Sequence, residues 1–215
     1  MEIEYFRQIA LPTPKDRIYS RLGYADGITK LDDKQRNQVD DYIEKALEIV
    51  ELKGASAVLS IKRIEVSKIT LSEDIVFESE SLADFLADSR EVLLMAATAG
   101  PGIVEAISQD STGKDVTAAV VFDAVASEMA DGALGWIINY FNRHLSRGGK
   151  QLTSRRFSAG YGDFLLENQK IIYDVLKLGQ LGISLSDNYM LIPEKSVTAV
   201  AGIRFTQERR SRRRK

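Results

Sequence analysis

The sequence predicts a mixed α+β fold built around one long central helix, and two observations carry that prediction. Residues from about Asp115 to Leu145 are apolar on nearly every side at helical spacing. A helix greasy all round lies inside a protein and not on its surface. Separately, Val58–Val66, Lys68–Leu71, Glu91–Thr98 and Val197–Ile203 are short alternating or continuous apolar runs of strand length. Composition agrees with a globular chain able to build a core: of 215 residues, 44% are hydrophobic and 28% charged.

In chain order, residues 1–30 read as a short arm around Pro12 and Pro14, with an amphipathic turn or two stopped at Gly23. A helix follows from Asp32 to Lys53. Asp32 or Asp33 caps it, Val39, Ile43, Ala46/Leu47 and Val50 form its buried stripe, and Gly54 ends it. Two strands occupy 55–77, and Ser79 or Ser81 opens a short helix through Leu82, Phe85 and Leu86. Glu91 to Thr98 is a fully buried strand leading into Ala99-Gly100-Pro101-Gly102 and an amphipathic segment from Ile103. That glycine turn could cradle an anion at a helix start, but it has no Lys-Ser/Thr and so is no P-loop. A tight strand-to-helix turn is the default.

Two stripes cover the central helix: Phe122, Val125, Met129, Ala133, Trp136 and Tyr140 on one side, Val120, Ala124, Leu134 and Ile138 opposite. Gly148-Gly149 terminates it, with Arg143, His144 and Arg147 suiting its C-terminal dipole. Asp131 breaks the second stripe, with Glu128 a turn earlier. A carboxylate on an apolar flank requires a partner. Either Asp131 bridges to an arginine such as Arg155 or Arg156, or it awaits a cationic ligand. Beyond the stretch Arg155–Phe164, a helix runs from Leu165 to Leu178 and breaks at Gly179–Gly182. Strand-like Ile183–Leu185 and Tyr189–Ile192 follow, and a turn at Pro193–Ser196 hands over to Val197–Ile203, which predicts a C-terminal hairpin.

Composition removes several classes of chemistry. There is no cysteine, hence no disulfide, thiolate nucleophile or Cys-ligated metal, and any electrons must come from a partner. The single histidine, His144, excludes a two-histidine metal site. A net charge of −2 leaves the body without an electrostatic case for nucleic acid. The one basic block, Arg209 to Lys215, reads as a frayed tail over 206–215. Neither a signal pattern nor an apolar run of membrane-spanning length occurs, so a soluble, cytoplasmic protein without membrane partners is expected.

The densest chemistry lies in Arg155-Arg156-Phe157-Ser158-Ala159-Gly160-Tyr161-Gly162-Asp163-Phe164. Two guanidiniums, a hydroxyl, glycines, a tyrosine and a carboxylate make neither a good helix nor a central strand. Arg156, four residues before Gly160-Tyr161, offers a fork for carboxylate or phosphate beside a backbone a ligand can approach.

Three segments in order resemble a known family. They are Val92-Leu93-Leu94-Met95-Ala96-Ala97-Thr98-Ala99-Gly100-Pro101-Gly102; Phe122-Asp123-Ala124-Val125-Ala126-Ser127-Glu128-Met129-Ala130-Asp131-Gly132; and Arg156-Phe157-Ser158-Ala159-Gly160-Tyr161 with Gly182-Ile183-Ser184-Leu185-Ser186-Asp187-Asn188-Tyr189-Met190-Leu191-Ile192-Pro193. Together they are similar to the S-adenosylmethionine-binding reactivation domain of cobalamin-dependent methionine synthase, in the form of a stand-alone activation subunit. The resemblance covers roughly residues 55–203, after a 1–54 arm and helix, and makes 55–205 an activation-domain-like core.

The resemblance implies a twisted, mainly antiparallel sheet wrapped on the central helix. It also implies an accessory subunit that binds S-adenosylmethionine and supports reductive remethylation of cob(II)alamin on a methionine synthase or related corrinoid protein. The cobalamin would be carried by that partner, and a flavodoxin- or ferredoxin-type donor would supply the electron. Arg156 would pair with the methionyl carboxylate, Ser158 and Gly160 would face the ligand, and Tyr161 would shape the methyl-donor pocket. Asp131, with Glu128 beside it, would balance the amino or sulfonium charge. The chain departs from the family at Phe157, where proline is usual, and near Ala201, where a second tyrosine is expected. The family's N-terminal acidic ligand residue has three candidates, Asp26, Asp32 and Asp33. Two other readings stand beside this one: an adaptor that docks on a corrinoid methyltransferase without a ligand, with Asp131–Arg156 a structural pair, and an unrelated enzyme using Gly100–Gly102 for phosphate.

Overall fold

The structure is a computed structural model that describes residues 1–24, 32–111, 113 and 115–206. Its frame is a seven-stranded antiparallel sheet organised on β2 (Lys53–Ile64) and β5 (Glu91–Thr98). β5 pairs with β2 from Lys53↔Thr98 to Ser60↔Glu91 on one side. On its other side it pairs with β9 (Ser196–Phe205), whose far edge receives β6 (Lys150–Leu152). The outer edge of β2 is shared. β1 (Ile3–Phe6) covers Gly54–Ala57, and β3 (Lys68–Leu71), backed by β4 (Val76–Glu78), covers Ile61–Ile64. A register shift between Ile61 and Arg63 bends β2 there.

β5 is buried throughout from Val92 to Thr98 because both faces of the sheet are covered. Leu93, Met95 and Ala97 face a layer made by α1 (Lys15–Arg21), α2 (Asp33–Ile49), α4 (Pro101–Ser111) and the thirty-residue α5 (Val116–Leu145). Val92, Leu94 and Ala96 face α3 (Glu80–Leu86), α6 (Asn168–Leu176) and Phe164. The strand's period of two thus places alternate residues in two separate cores. Each fully buried leucine or phenylalanine contributes on the order of 1.5–3 kcal/mol of transfer free energy. Phe6, Ile9, Ile18, Val39, Ile43 and Ala46 share the α5 core, so β1, α1 and α2 pack on the same centre as the rest.

The long helix was legible in its periodicity, and so were its limits: Asp115 caps it by accepting from the Ala118 N–H at 3.0 Å. Asp32 caps α2 in a reciprocal box with Gln35, and Ser79 caps α3 through the Leu82 N–H. Other expectations are corrected. α2 ends at Ile49, and Gly54 is a strand residue, not a helix stop. α6 is shorter than the predicted 165–178 helix. The predicted C-terminal hairpin is not formed. β7 (Ser184–Leu185) pairs only with β8 (Leu191–Ile192), while β9 pairs with β5 and β6 inside the main sheet. β9 offers an alternating apolar strand with two faces to bury, and the two-layer interior accommodates it where a surface hairpin could not.

Candidate functional site

The stretch from Thr153 to Phe157 is a bulge on the outer edge of β9. Thr153 N–H donates to Gly202 O at 2.8 Å, and Phe157 exchanges bonds with Val200 at 2.8 and 2.7 Å. Three residues, 154–156, therefore lie where β9 has Ala201 alone. A bulge that long takes the backbone of these residues out of the ladder. The Phe157 ring joins the α3/α6 core, 5.7 Å from Phe85 and 6.0 Å from Phe164. Arg156 goes the other way and ion-pairs through Nη2 with Asp131 Oδ1 on α5.

Asp131 is one node of a larger network. Arg17 Nη2 donates to Asp131 Oδ2 at 2.9 Å, and Arg17 Nε lies 3.2 Å from Glu128 Oε2. Arg21 Nε donates to Glu128 Oε1 at 2.7 Å. Arg17 and Arg21 are one turn apart on α1, matching the one-turn spacing of Glu128 and Asp131 on α5. The Glu128 side chain is only 9% exposed, whereas those of Arg17 and Arg21 are 59% and 47% exposed. Glu128 Oε2 is buried and accepts no hydrogen bond, because the nearby Arg17 Nε is at ion-pair distance without bonding geometry. Further along α5, Lys195 bonds Asp123 at 2.6 Å and Ser127 at 3.0 Å. Among the described residues three guanidiniums thus meet two carboxylates, and Glu128 Oε2 is left without a hydrogen-bond donor.

The loop beyond Arg156 is pinned from below. Ser158 Oγ donates to Thr198 O at 2.8 Å, which fixes it along β9. Gly160 takes φ +90° while its N–H donates to Phe164 O at 2.8 Å, a conformation that excludes most side chains. Phe164 is fully buried and meets Phe77 edge-on at 5.3 Å. Asp163 Oδ1 accepts from Ser79 Oγ at 2.8 Å, and Oδ2 accepts from the Glu80 N–H at 2.5 Å. The side chains of Ser81 and Ser79, with the N–H groups of Glu80 and Ser81, lower the Asp163 carboxyl from 3.8 to about 2. The loop is therefore clamped to the start of α3.

The structure brings Arg156, Asp131 and Glu128 into one network. Ser158 is bonded to β9, and Gly160 and Tyr161 stand at the exposed loop tip, Tyr161 70% exposed. Arg155, the other arginine considered for Asp131, takes no part. Arg17, Arg21 and Lys195 were not singled out in the sequence. The only signal for Arg17 and Arg21 was their i, i+4 spacing on a short amphipathic turn, which by itself does not name a partner, and Lys195 read only as part of the 193–196 turn. Asp163 was counted as the carboxylate of the 155–164 stretch, but its partners at the start of α3 were not foreseen.

Other candidates resolve as structure. A Cβ on Gly100 would meet Glu51 Cβ at 3.1 Å, and one on Gly102 would meet Ile49 Cγ2 at 3.3 Å. That turn is packed against the end of α2, and an anion has no room at the faces those glycines present. Asp32 is spent as a helix cap, and His144 lies in the last turn of α5 with Nδ1 2.8 Å from Tyr140 O. Ala201 is fully buried under α5. Asp26 and the basic residues 209–215 lie outside the described residues. Among the described residues there is no cluster of three potential metal ligands, and no helix is long and apolar enough to cross a membrane.

No family model matches the sequence, and no curated protein matches it. Among solved structures the chain is similar to the crystal structure of the MetH reactivation domain bound to AdoHcy. The superposition has a TM-score of 0.66 at 12% identity, over 94% of this chain and 78% of that one. The curled antiparallel sheet with its long central helix is therefore the fold of that reactivation domain.

Proposed function

We propose that this chain is an accessory subunit that binds S-adenosylmethionine and supports reductive remethylation of cob(II)alamin on a methionine synthase or related corrinoid protein. The observation that supports it most is the coincidence of two things. The fold is shared, over nearly the whole chain, with a reactivation domain whose solved structure carries AdoHcy. In that fold, the Arg156–Tyr161 loop leads directly from the acidic flank of the central helix, through the Arg156–Asp131 pair. The residues fit an amino-acid ligand. Arg156 offers a fork for its carboxylate, and Glu128 Oε2 is a buried acceptor without a donor, suited to an ammonium. Tyr161 stands exposed at the loop tip, where a corrin on a partner could approach it.

The partner's cobalamin and an external flavodoxin- or ferredoxin-type donor would supply the redox chemistry, and bound S-adenosylmethionine would supply the methyl group. The chain's own part is to hold the ligand by its amino-acid end and to keep the loop in place through Asp163.

One observation favours a second reading: Arg156 already has a carboxylate in Asp131, as a ligand-free adaptor would require. Titration calorimetry with S-adenosylmethionine separates the two. Wild type should bind, and Arg156→Ala should weaken binding by roughly 1.5–3 kcal/mol, the range for a charge-assisted hydrogen bond. No binding by the wild type would leave the adaptor reading standing. Binding that survives both Arg156→Ala and Asp131→Asn would place the site elsewhere.

A further inference from the structure

On the layer opposite the Arg156 network, the same bulge forms one wall of a second cleft. It lies between the C-terminal turn of α3 and the edge strand β6, with a volume of about 300 Å³. Arg155 and Arg204 line it together with Ser154, Gln151 and Phe85. Among the described residues no carboxylate lines it. The nearby acid on β5, Glu91, is paired with Lys150 at 2.6 Å.

Among the described residues neither guanidinium pairs with a carboxylate. Arg155 is exposed, and its guanidinium has no acid partner among the described residues. Arg204 makes one long bond, Nη2 to Phe85 O at 3.4 Å, and its Nε is buried without any acceptor. A buried N–H on a cation with no partner costs on the order of 1–3 kcal/mol or more. Such a group is compensated when an anion draws the guanidinium round to bond it. Arg155 belongs to the 154–156 bulge, which leaves residues 154 and 155 off the β9 ladder.

We propose that this cleft binds a small phosphomonoester. Two guanidiniums match a dianion better than a carboxylate's single charge. Their forks, with the Ser154 hydroxyl and the Gln151 amide, supply more donors than two carboxylate oxygens accept. The volume is at the low end of the range for ligand pockets, about 300–1,000 Å³, so the organic part is small. Phe85, backed by Phe157 at 5.7 Å, gives that part an apolar wall. The site is independent of any S-adenosylmethionine binding on the α5 flank.

The test is calorimetric titration of the full chain with phenyl phosphate, benzoate and inorganic phosphate, with Arg155→Gln and Arg204→Gln as variants. Phenyl phosphate should bind one to one and more tightly than benzoate, and Arg155→Gln should weaken it roughly 10-fold or more. Because Arg155 is exposed and off the ladder, its variant should unfold at the wild-type temperature, which keeps the test valid if Arg204→Gln is unstable. Inorganic phosphate binding as tightly as the ester, and equally sensitive to Arg155→Gln, would identify free phosphate as the source of the same anion. Absence of binding by both phosphates, benzoate binding as well as phenyl phosphate, or binding unchanged in Arg155→Gln, would overturn the proposal.

Discussion

Arg155 and Arg156 are adjacent in the chain and serve opposite layers of the fold. Arg156 crosses to α5 and pairs with Asp131, whereas Arg155 lines a cleft with Phe85 of α3. Both lie in the bulge that sets residues 154–156 against Ala201 alone. An ordinary strand would also have placed the two on opposite faces, but it would have tied the intervening backbone into the ladder. The bulge leaves that backbone out of the ladder.

Arg156→Lys separates the structural from the ligand-binding role of this residue. A lysine ammonium can still neutralise Asp131, which also keeps Arg17 at 2.9 Å. It cannot present two parallel donors to a second carboxylate. Thermal stability should therefore stay close to wild type while S-adenosylmethionine affinity falls nearly as far as in Arg156→Ala. Full affinity in the lysine variant, measured by calorimetry, would show that only charge matters.

Glu128→Gln should destabilise the protein more than Asp131→Asn. Its carboxylate is 9% exposed against 33% for Asp131, and it anchors Arg21 and Arg17 of α1. Removing one partner of a buried pair costs about 3–5 kcal/mol. Both arginines are about half exposed, however, so water rescues them and the cost falls to roughly 1–2 kcal/mol. Urea unfolding midpoints of the two variants decide the order, and an equal or reversed order refutes it.

The parts of this architecture that were legible in the sequence are those set by local physics. α5 announces itself because apolar residues recur at helical spacing along its thirty residues, and Asp32, Ser79 and Asp115 cap where short polar side chains precede such runs. β5 is legible as an unbroken apolar run. The pairing of β9 is not, because Pro193 and Ser196 read as a hairpin turn and nothing local says that β5, a hundred residues earlier, is the better partner. β1 and β4, four and three residues long, are too short to show a period. The site divides in the same way. Asp131 stood out as a carboxylate in an apolar stripe, but its arginines are long-range neighbours, and Arg17 lies 114 residues away.

The Asp163 clamp predicts an acid-sensitive loop. The carboxyl falls from 3.8 to about 2 in the folded protein, so the group favours folding when ionised. Its contribution is complete above the unfolded value and disappears as pH drops through 3.8 towards 2. The difference in melting temperature between wild type and Asp163→Asn should thus be constant above about pH 5 and should close as pH approaches 2. A gap that persists unchanged at the acid end would mean the serine contacts do not depend on charge.

Gly54 and Gly135 make opposite predictions for the same substitution. A Cβ on Gly54 would lie 2.9 Å from the Ala96 carbonyl oxygen and 2.9 Å from Ile137 Cδ1. Ile137 can shift its terminal methyl, but Ala96 is held in the ladder between β2 and β5, opposite Ala55, and cannot withdraw its oxygen. Gly54→Ala should therefore force β2 away from β5 or from α5, at about 1–3 kcal/mol. A Cβ on Gly135 meets nothing within 4 Å, and the residue sits in the interior of α5 without a positive φ. There Gly135→Ala removes only backbone freedom from the unfolded chain and should stabilise by about 0.5–1 kcal/mol. Chemical denaturation of both variants measures the sign directly. A stable Gly54→Ala would mean that close approach between the central helix and the sheet does not require a glycine there, and that the position serves some other constraint of the strand.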